Sequence, residues 1–294
     1  MKKRTTIICS ILLFFLIGTI PFLQTLLGDS EVVIRGENVN QLNSPMGAAT
    51  DDSYVYIANS NKNQVSVFNL KGEFQFPIGS IDGGESGLHF PVDVELYKDK
   101  VYVADLENYR VCIFTKDGQF IDYFPRERNI KPAALTIKDG FVFVSDIYSH
   151  SIKKFSLTGE LLENFAKNGK AEGQLDYANG IAVSDKGDVI VADTLNQRIQ
   201  QFTAAGQFTK ILYHDESFGL PKGISISKNN LYLADAQLQE IFILDLKGEK
   251  ISEVKTKEKL KFPTDVFLTE NYLVITDNGD NKVLVIKRGD GDGE

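Results

Sequence analysis

One pattern recurs six times along the chain. It opens on Pro45, Pro91, Pro132, Ala178, Pro221 and Pro263, and these heads stand 41 to 46 residues apart. Fourteen or fifteen residues after each head comes Asn59, Asp105, Asp146, Asp193, Asp235 or Asp277. Nine further on stands Phe68, Phe114, Phe155, Phe202, Leu244 or Ile286. The segments between are short β-branched or aromatic runs such as Val101-Tyr-Val-Ala104 and Leu231-Tyr-Leu-Ala234. A period of this length built from short strands predicts an all-β fold, a six-bladed β-propeller.

The fourth copy shows how one blade is written. Gly180-Ile-Ala-Val183 is an apolar run and Asp185-Lys-Gly-Asp188 a turn by composition. Val189-Ile-Val-Ala192 is a second strand, and Arg198-Ile-Gln-Gln-Phe202 alternates as a half-buried third strand should. After Gly206, Gln207–Leu212 makes the fourth. One blade cannot bury both of its faces, so neighbours must stack. The sixth copy lacks a fourth strand: after Ile286-Lys-Arg only Gly289-Asp-Gly-Asp-Gly-Glu294 follows, an acidic tail expected to be disordered. Glu31-Val-Val-Ile-Arg35 is expected to supply the missing edge and close the ring, since an open edge invites association. The expected organisation is an N-terminal segment 1–28, a propeller over 29–288 with blades starting near 45, 91, 132, 178, 221 and 263, and the tail 289–294.

The net charge is −8, and because Lys2, Lys3 and Arg4 supply +3, the remainder carries −11. Such a surface argues against a nucleic-acid partner, which needs a basic footprint. The two cysteines, Cys9 and Cys112, form no disulfide framework. Behind Met1-Lys-Lys-Arg4, residues Ile7 to Leu27 carry no charge. As a helix this run would be about 31 Å long, matching a bilayer core. A retained single-pass transmembrane signal-anchor is expected, with the propeller outside the cytoplasm. A cleaved signal peptide and a secreted propeller are the alternative.

The repeats resemble NHL repeats, whose pattern runs P-x-G-[IV]-A-V, V-Y-V-A-D, N-x-R-[IV]-x-x-F and G-x-F. Gly180-Ile-Ala-Val183, Val191-Ala-Asp193, Asn196-Gln-Arg198-Ile199, Phe202 and Gly206-Gln-Phe208 carry the match. Val101-Tyr-Val-Ala-Asp105, Asn108-Tyr-Arg-Val111 and Phe114 repeat it. The resemblance spans about residues 30–288 and implies the NHL six-bladed fold, not an activity.

Function must sit where the blades differ. The Asp closing each second strand is too regular for a catalytic site and reads as a turn cap. After the heads, Asp93 and Asp265 replace the usual glycine. Asn179 falls where gluconolactonase-type propellers carry a calcium-binding Asn. The Asp93 and Asp265 carboxylates with the Asn179 amide oxygen are hard donors suited to Ca²⁺, and are the expected ligands at the channel mouth of a hydrolase or lactonase. Lys222 or Thr264 stands in the slot of the lactonase Asp. The zinc amidating lyases share the pattern too, but His89, His150 and His214 are spread around the ring and do not suggest a zinc site. The turns after the second strands bring Tyr109, Arg110, Tyr148 and His150 to one face, and the loop before blade three adds Arg126, Arg128 and Lys131. Exposed aromatics and arginines are favoured interface anchors. The expected function is therefore a membrane-anchored binding or scaffold module for a protein, peptide or envelope component, with no cofactor required.

Overall fold

The computed structural model describes residues 30–79, 83–215 and 218–289. They form six four-stranded antiparallel sheets, each strand pairing with the next in sequence. Five sheets are consecutive in the chain. The sixth takes its outer strand from the other end: Glu31–Ile34 pairs with Lys282–Lys287, with Glu31 opposite Ile286 and Ile34 opposite Val283. The innermost strands are Pro45–Thr50, Pro91–Tyr97, Pro132–Lys138, Ala178–Val183, Pro221–Ser227 and Pro263–Leu268.

The core lies between blades rather than within them. Six apolar clusters each join two neighbours around the ring. Tyr56 and Val67 of blade one meet Val101 and Phe114 of blade two. Ile34, Val274 and Val285 meet Ile57 and Phe68 where blade six meets blade one. Each blade thus buries both faces by stacking, as the repeats require. The turn before each outer strand packs on the preceding blade. At Gly248 (φ +100°) a β-carbon would lie 1.8 Å from the Leu212 carbonyl oxygen, so that turn needs glycine.

The repeated acid closes each second strand and ties it to the start of its own blade. Asp105 accepts the His89 N–H at 2.7 Å, Asp146 that of Lys131 at 2.8 Å, and Asp193 that of Asp176 at 2.6 Å. Asp277 accepts Lys261 and Phe262, and Asn59 accepts Asn43. All six are buried. The buried charges are balanced by three devices. Arg110, Arg198 and Lys282, five residues on, pair with Asp105, Asp193 and Asp277. Lys153 serves Asp146. Asp235 has no cation partner among the described residues but accepts four backbone N–H groups, from Gly219, Leu220, Gln237 and Leu238. Blade one replaces the acid by Asn59, whose amide donates to Ser66. A buried carboxylate needs such compensation, or its desolvation penalty goes unanswered.

These hydrogen bonds also define two faces. Inter-blade loops and the turns after the second strands share one end of every blade. The hairpins joining strands one to two and three to four share the other.

Among the described residues no helix is long and apolar enough to cross a membrane. The expected anchor (1–28) lies outside the described residues, and so does most of the acidic tail.

Candidate functional site: the channel and the loop face

Every innermost strand carries a bulge just after its first residue, seen as a register shift against its partner. A bulge re-aims side chains. Here it turns Gly47, Asp93, Ala134, Gly180, Gly223 and Asp265 to the central channel, a cavity of about 230 Å³. The two carboxylates stitch blades together. Asp93 accepts N–H groups from Val94 and from Leu135 of the next blade, both at 2.8 Å. Asp265 accepts Ala48 N–H at 3.1 Å, bridging blade six to blade one. The preceding blade leaves room for each by carrying glycine: a β-carbon on Gly47 would sit 2.6 Å from Asp93 Oδ1, and one on Gly223 2.2 Å from Asp265 Oδ1.

The channel walls raise the acids' proton affinity. Burial pushes Asp265 up to about 6. Burial, then the Asp265 charge, holds Asp93 well above the usual carboxylate range. Glu95 in the same channel is raised by burial and then by both aspartates. Lys222, also lining it, is lowered by burial. These are desolvation effects with like-charge repulsion added.

Asn179, Asp93 and Asp265 all line this channel. The aspartate carboxylates accept backbone N–H groups, and the Asn179 amide nitrogen donates to Tyr177 O and Thr194 Oγ1, both at 3.0 Å. Among the described residues no group of three or more His, Cys, Asp and Glu side chains is placed to hold a metal ion. His89 and His214 are exposed, and His150 is half-buried on a different blade from either.

On the loop face, Tyr148 is 72% exposed and Tyr109 38%. Arg126 and Arg128 are also exposed. Arg110 corrects the sequence expectation: it is 1% exposed and not available to a partner. As the first residue of its strand, opposite Asp105 in register, it points inward to that buried acid, with Nε 2.9 Å from Oδ2. The recurring spacing of Asp105 to Arg110 and Asp193 to Arg198 was the available signal. His150 acts as a tether. It occupies the left-handed position (φ +50°) of its turn, and its Nδ1 accepts the Tyr177 N–H of the next blade at 3.1 Å. Asn63 and Asn281 do the same at their turns, towards Phe90 and Ser44.

Sequence reasoning missed Tyr123, Tyr177, Leu195 and Leu238. The last three are exposed on the loop face, Leu195 at 55%. The Arg110, Arg126 and Arg128 guanidinium carbons lie 4.8, 4.6 and 5.0 Å from the Tyr123 ring centre. The patch is continuous. Lys131 pairs with Glu107 at 3.0 Å and lies over the Tyr109 ring, and its carbonyl accepts the Ile147 N–H beside Tyr148.

An NHL-repeat family model matches residues 175–202. Protein brain tumor of Drosophila melanogaster is 27% identical over 128 residues, 41% of this chain and 12% of that protein. NHL repeat-containing protein 3 of Homo sapiens is 24% identical over 184 residues, 54% of this chain and 52% of that protein. The chain thus spans about half or less of the length of these relatives. A virginiamycin B lyase from Staphylococcus aureus, solved with quinupristin, superposes with TM-score 0.65 at 17% identity, covering 90% of each chain. A putative gluconolactonase superposes with TM-score 0.71 at 13% identity, covering 92% of this chain and 96% of that one. At such identity these two likenesses show the fold alone. The repeat matched in sequence, the NHL-repeat relatives and the six closed blades together support the NHL-repeat family of six-bladed β-propellers.

Proposed function

We propose that this chain is a binding module that recognises a protein, peptide or envelope component through its loop face. One observation carries the proposal. Among the described residues eleven large apolar side chains are exposed, and six of them, Val39, Tyr109, Tyr148, Tyr177, Leu195 and Leu238, belong to the loop face. Four others, Ile121, Leu161, Leu162 and Ile251, lie on outer strands at the rim. Only Tyr54 belongs to the hairpin face. Symmetric folding constraints would distribute such residues evenly, whereas a partner that covers one face would not. Aromatic side chains with neighbouring arginines are the composition of interface anchors.

In this proposal residues 1–28 display the propeller outside the cytoplasm as a single-pass anchor, or direct its secretion. The support is the basic start and uncharged run of the sequence. Protease protection of the full chain in intact cells, with the mass of the mature N-terminus, tests that part.

Site-specific photo-cross-linking in cells carrying the full chain tests the face. Probes at Tyr148 and Leu195 are expected to give adducts, and probes at Asp139 and Lys228 in the opposite hairpins none. Equal adducts from both faces would end the proposal.

A hydrolase or lactonase site in the channel is the second reading, favoured by the raised carboxylates Asp93, Glu95 and Asp265. Their existing backbone partners weigh against a role for Asp93 and Asp265 as calcium ligands.

A further inference from the structure

We infer that Arg128, stacked on Tyr123 at the junction of blades two and three, is a carboxylate-binding anchor for an acidic peptide segment of the partner. The inference rests on the binding-face proposal and names the chemistry recognised there.

Three guanidinium groups gather around one tyrosine ring, and their counter-charges do not match. Arg110 is paired with Asp105, and Arg126 with Asp122. The Arg128 guanidinium has no ion pair or hydrogen bond among the described residues. Its neighbour Glu127, the obvious local partner, is exposed and makes no ion pair with it. Beneath them, Arg110 Nη1 is fully buried and also lacks a hydrogen-bond acceptor. Among the described residues the cluster therefore leaves two donor groups without an acceptor, Arg110 Nη1 and the Arg128 guanidinium, on a chain whose net charge is −8. A guanidinium offers a planar fork that suits a carboxylate, and stacking on an aromatic face reduces the rotamer freedom lost on binding.

The backbone fixes the site as well. Arg128 adopts φ +49° and its N–H donates to Pro125 O at 3.2 Å, closing a tight turn that brings the side chain over Tyr123. The same inter-blade loop carries Lys131, which lies over the Tyr109 ring and whose carbonyl accepts the Ile147 N–H beside Tyr148. The surroundings select the class of anion. Asp122, Glu127 and Glu107 are interspersed with the cations. A continuous polyphosphate backbone would meet these acids at close spacing, whereas an isolated carboxylate among apolar residues would not. A peptide carrying spaced acidic residues between apolar ones fits both the free guanidinium and the tyrosines.

The test uses the full chain and fluorescence anisotropy of a labelled (Gly-Glu-Leu)4 peptide against its (Gly-Gln-Leu)4 isostere. The acidic peptide is expected to bind at least tenfold more tightly. Arg128→Ala is expected to remove that preference, and Arg128→Lys to restore only part of it, because lysine lacks the fork. Arg128 is exposed, so both variants should fold with unchanged melting. Equal binding of the two peptides, no binding of either, an unaltered preference in Arg128→Ala, or tighter binding of a single-stranded oligonucleotide would each overturn the inference. Tyr148→Ala and Leu195→Glu separate it from the broader proposal. If they weaken both peptides while Arg128→Ala changes nothing, the loop face stands and the carboxylate anchor falls. If no loop-face variant alters binding, the face proposal falls too.

Discussion

Replacing Asp265 by asparagine should change how stability depends on pH. Burial raises the folded-state carboxyl from its ordinary 3.8 to about 6, against the pull of the Ala48 and Val266 N–H groups. The folded state therefore favours the protonated form. The stability this contributes is fully present below about 3.8 and is lost as pH rises through about 6. At about 1.4 kcal/mol per pH unit the full effect is about 3 kcal/mol, which channel solvent reduces to about 1–2. For a domain of this size that is about 2–8 °C in melting temperature. The amide in Asp265→Asn keeps an acceptor for the Ala48 N–H and cannot ionise, so the variant's advantage over the native chain should grow between about pH 4 and 7.5. The carboxyls held below their ordinary values, Asp51, Asp117, Asp185, Asp245 and Asp280, titrate at lower pH in both proteins and cancel in the difference. Removing the Asp265 charge should also lower Asp93, which feels it directly. Thermal melts of both proteins at half-unit steps supply the comparison. A stability difference that is constant with pH, or that shrinks as pH rises, would refute the argument.

Four other outcomes are expected. Arg110→Met strands the buried Asp105 carboxylate and should cost about 3–5 kcal/mol in urea unfolding, where a surface arginine costs under about 1. Gly248→Ala forces a β-carbon against the Leu212 carbonyl at positive φ and should cost about 2–3 kcal/mol by the same assay. Deleting residues 30–36 uncovers the Lys282–Lys287 strand edge, so size-exclusion chromatography should show association at concentrations where the intact chain does not associate. EDTA should leave the melting temperature unchanged, because Asp93 and Asp265 already accept backbone N–H groups; a calcium-dependent rise of several degrees would restore the ligand set with Asn179.

The strands were legible because each blade repeats its apolar alternation and turn residues, and nothing in the chain competes with that period. The ring closure was legible for a negative reason: the polar residues after Ile286 cannot make a strand, and Glu31–Ile34 is the remaining β-branched run of the right length. Side-chain direction at strand ends was harder. Arg110 reads as exposed because it follows a turn, yet register places it against Asp105. Tyr123 was invisible as an anchor because its partners come from two places: the loop after its strand, which carries Arg126 and Arg128, and the buried strand start at Arg110. The channel acids were found from the broken glycine pattern, but their engagement by Leu135 and Ala48 depends on bulges that sequence spacing does not mark.

Departures from the repeat therefore differ in kind. Where Asn59 replaces the capping acid, the cation five residues on is also gone, replaced by Gln64, and the charge balance is kept. Where Glu240 takes the cation's place in blade five, four backbone N–H groups take over at Asp235. These departures are compensated inside the blade and need no partner to explain them. Asp265 is compensated across a blade boundary, at the junction where the two ends of the chain meet, and so belongs to ring closure. Arg128, Tyr148 and Leu195 have no such compensation. Among the described residues they expose a guanidinium without a counter-charge and apolar surface without cover, on one face of the fold. A departure that the fold neither requires nor offsets is where an external partner is the simplest physical cause.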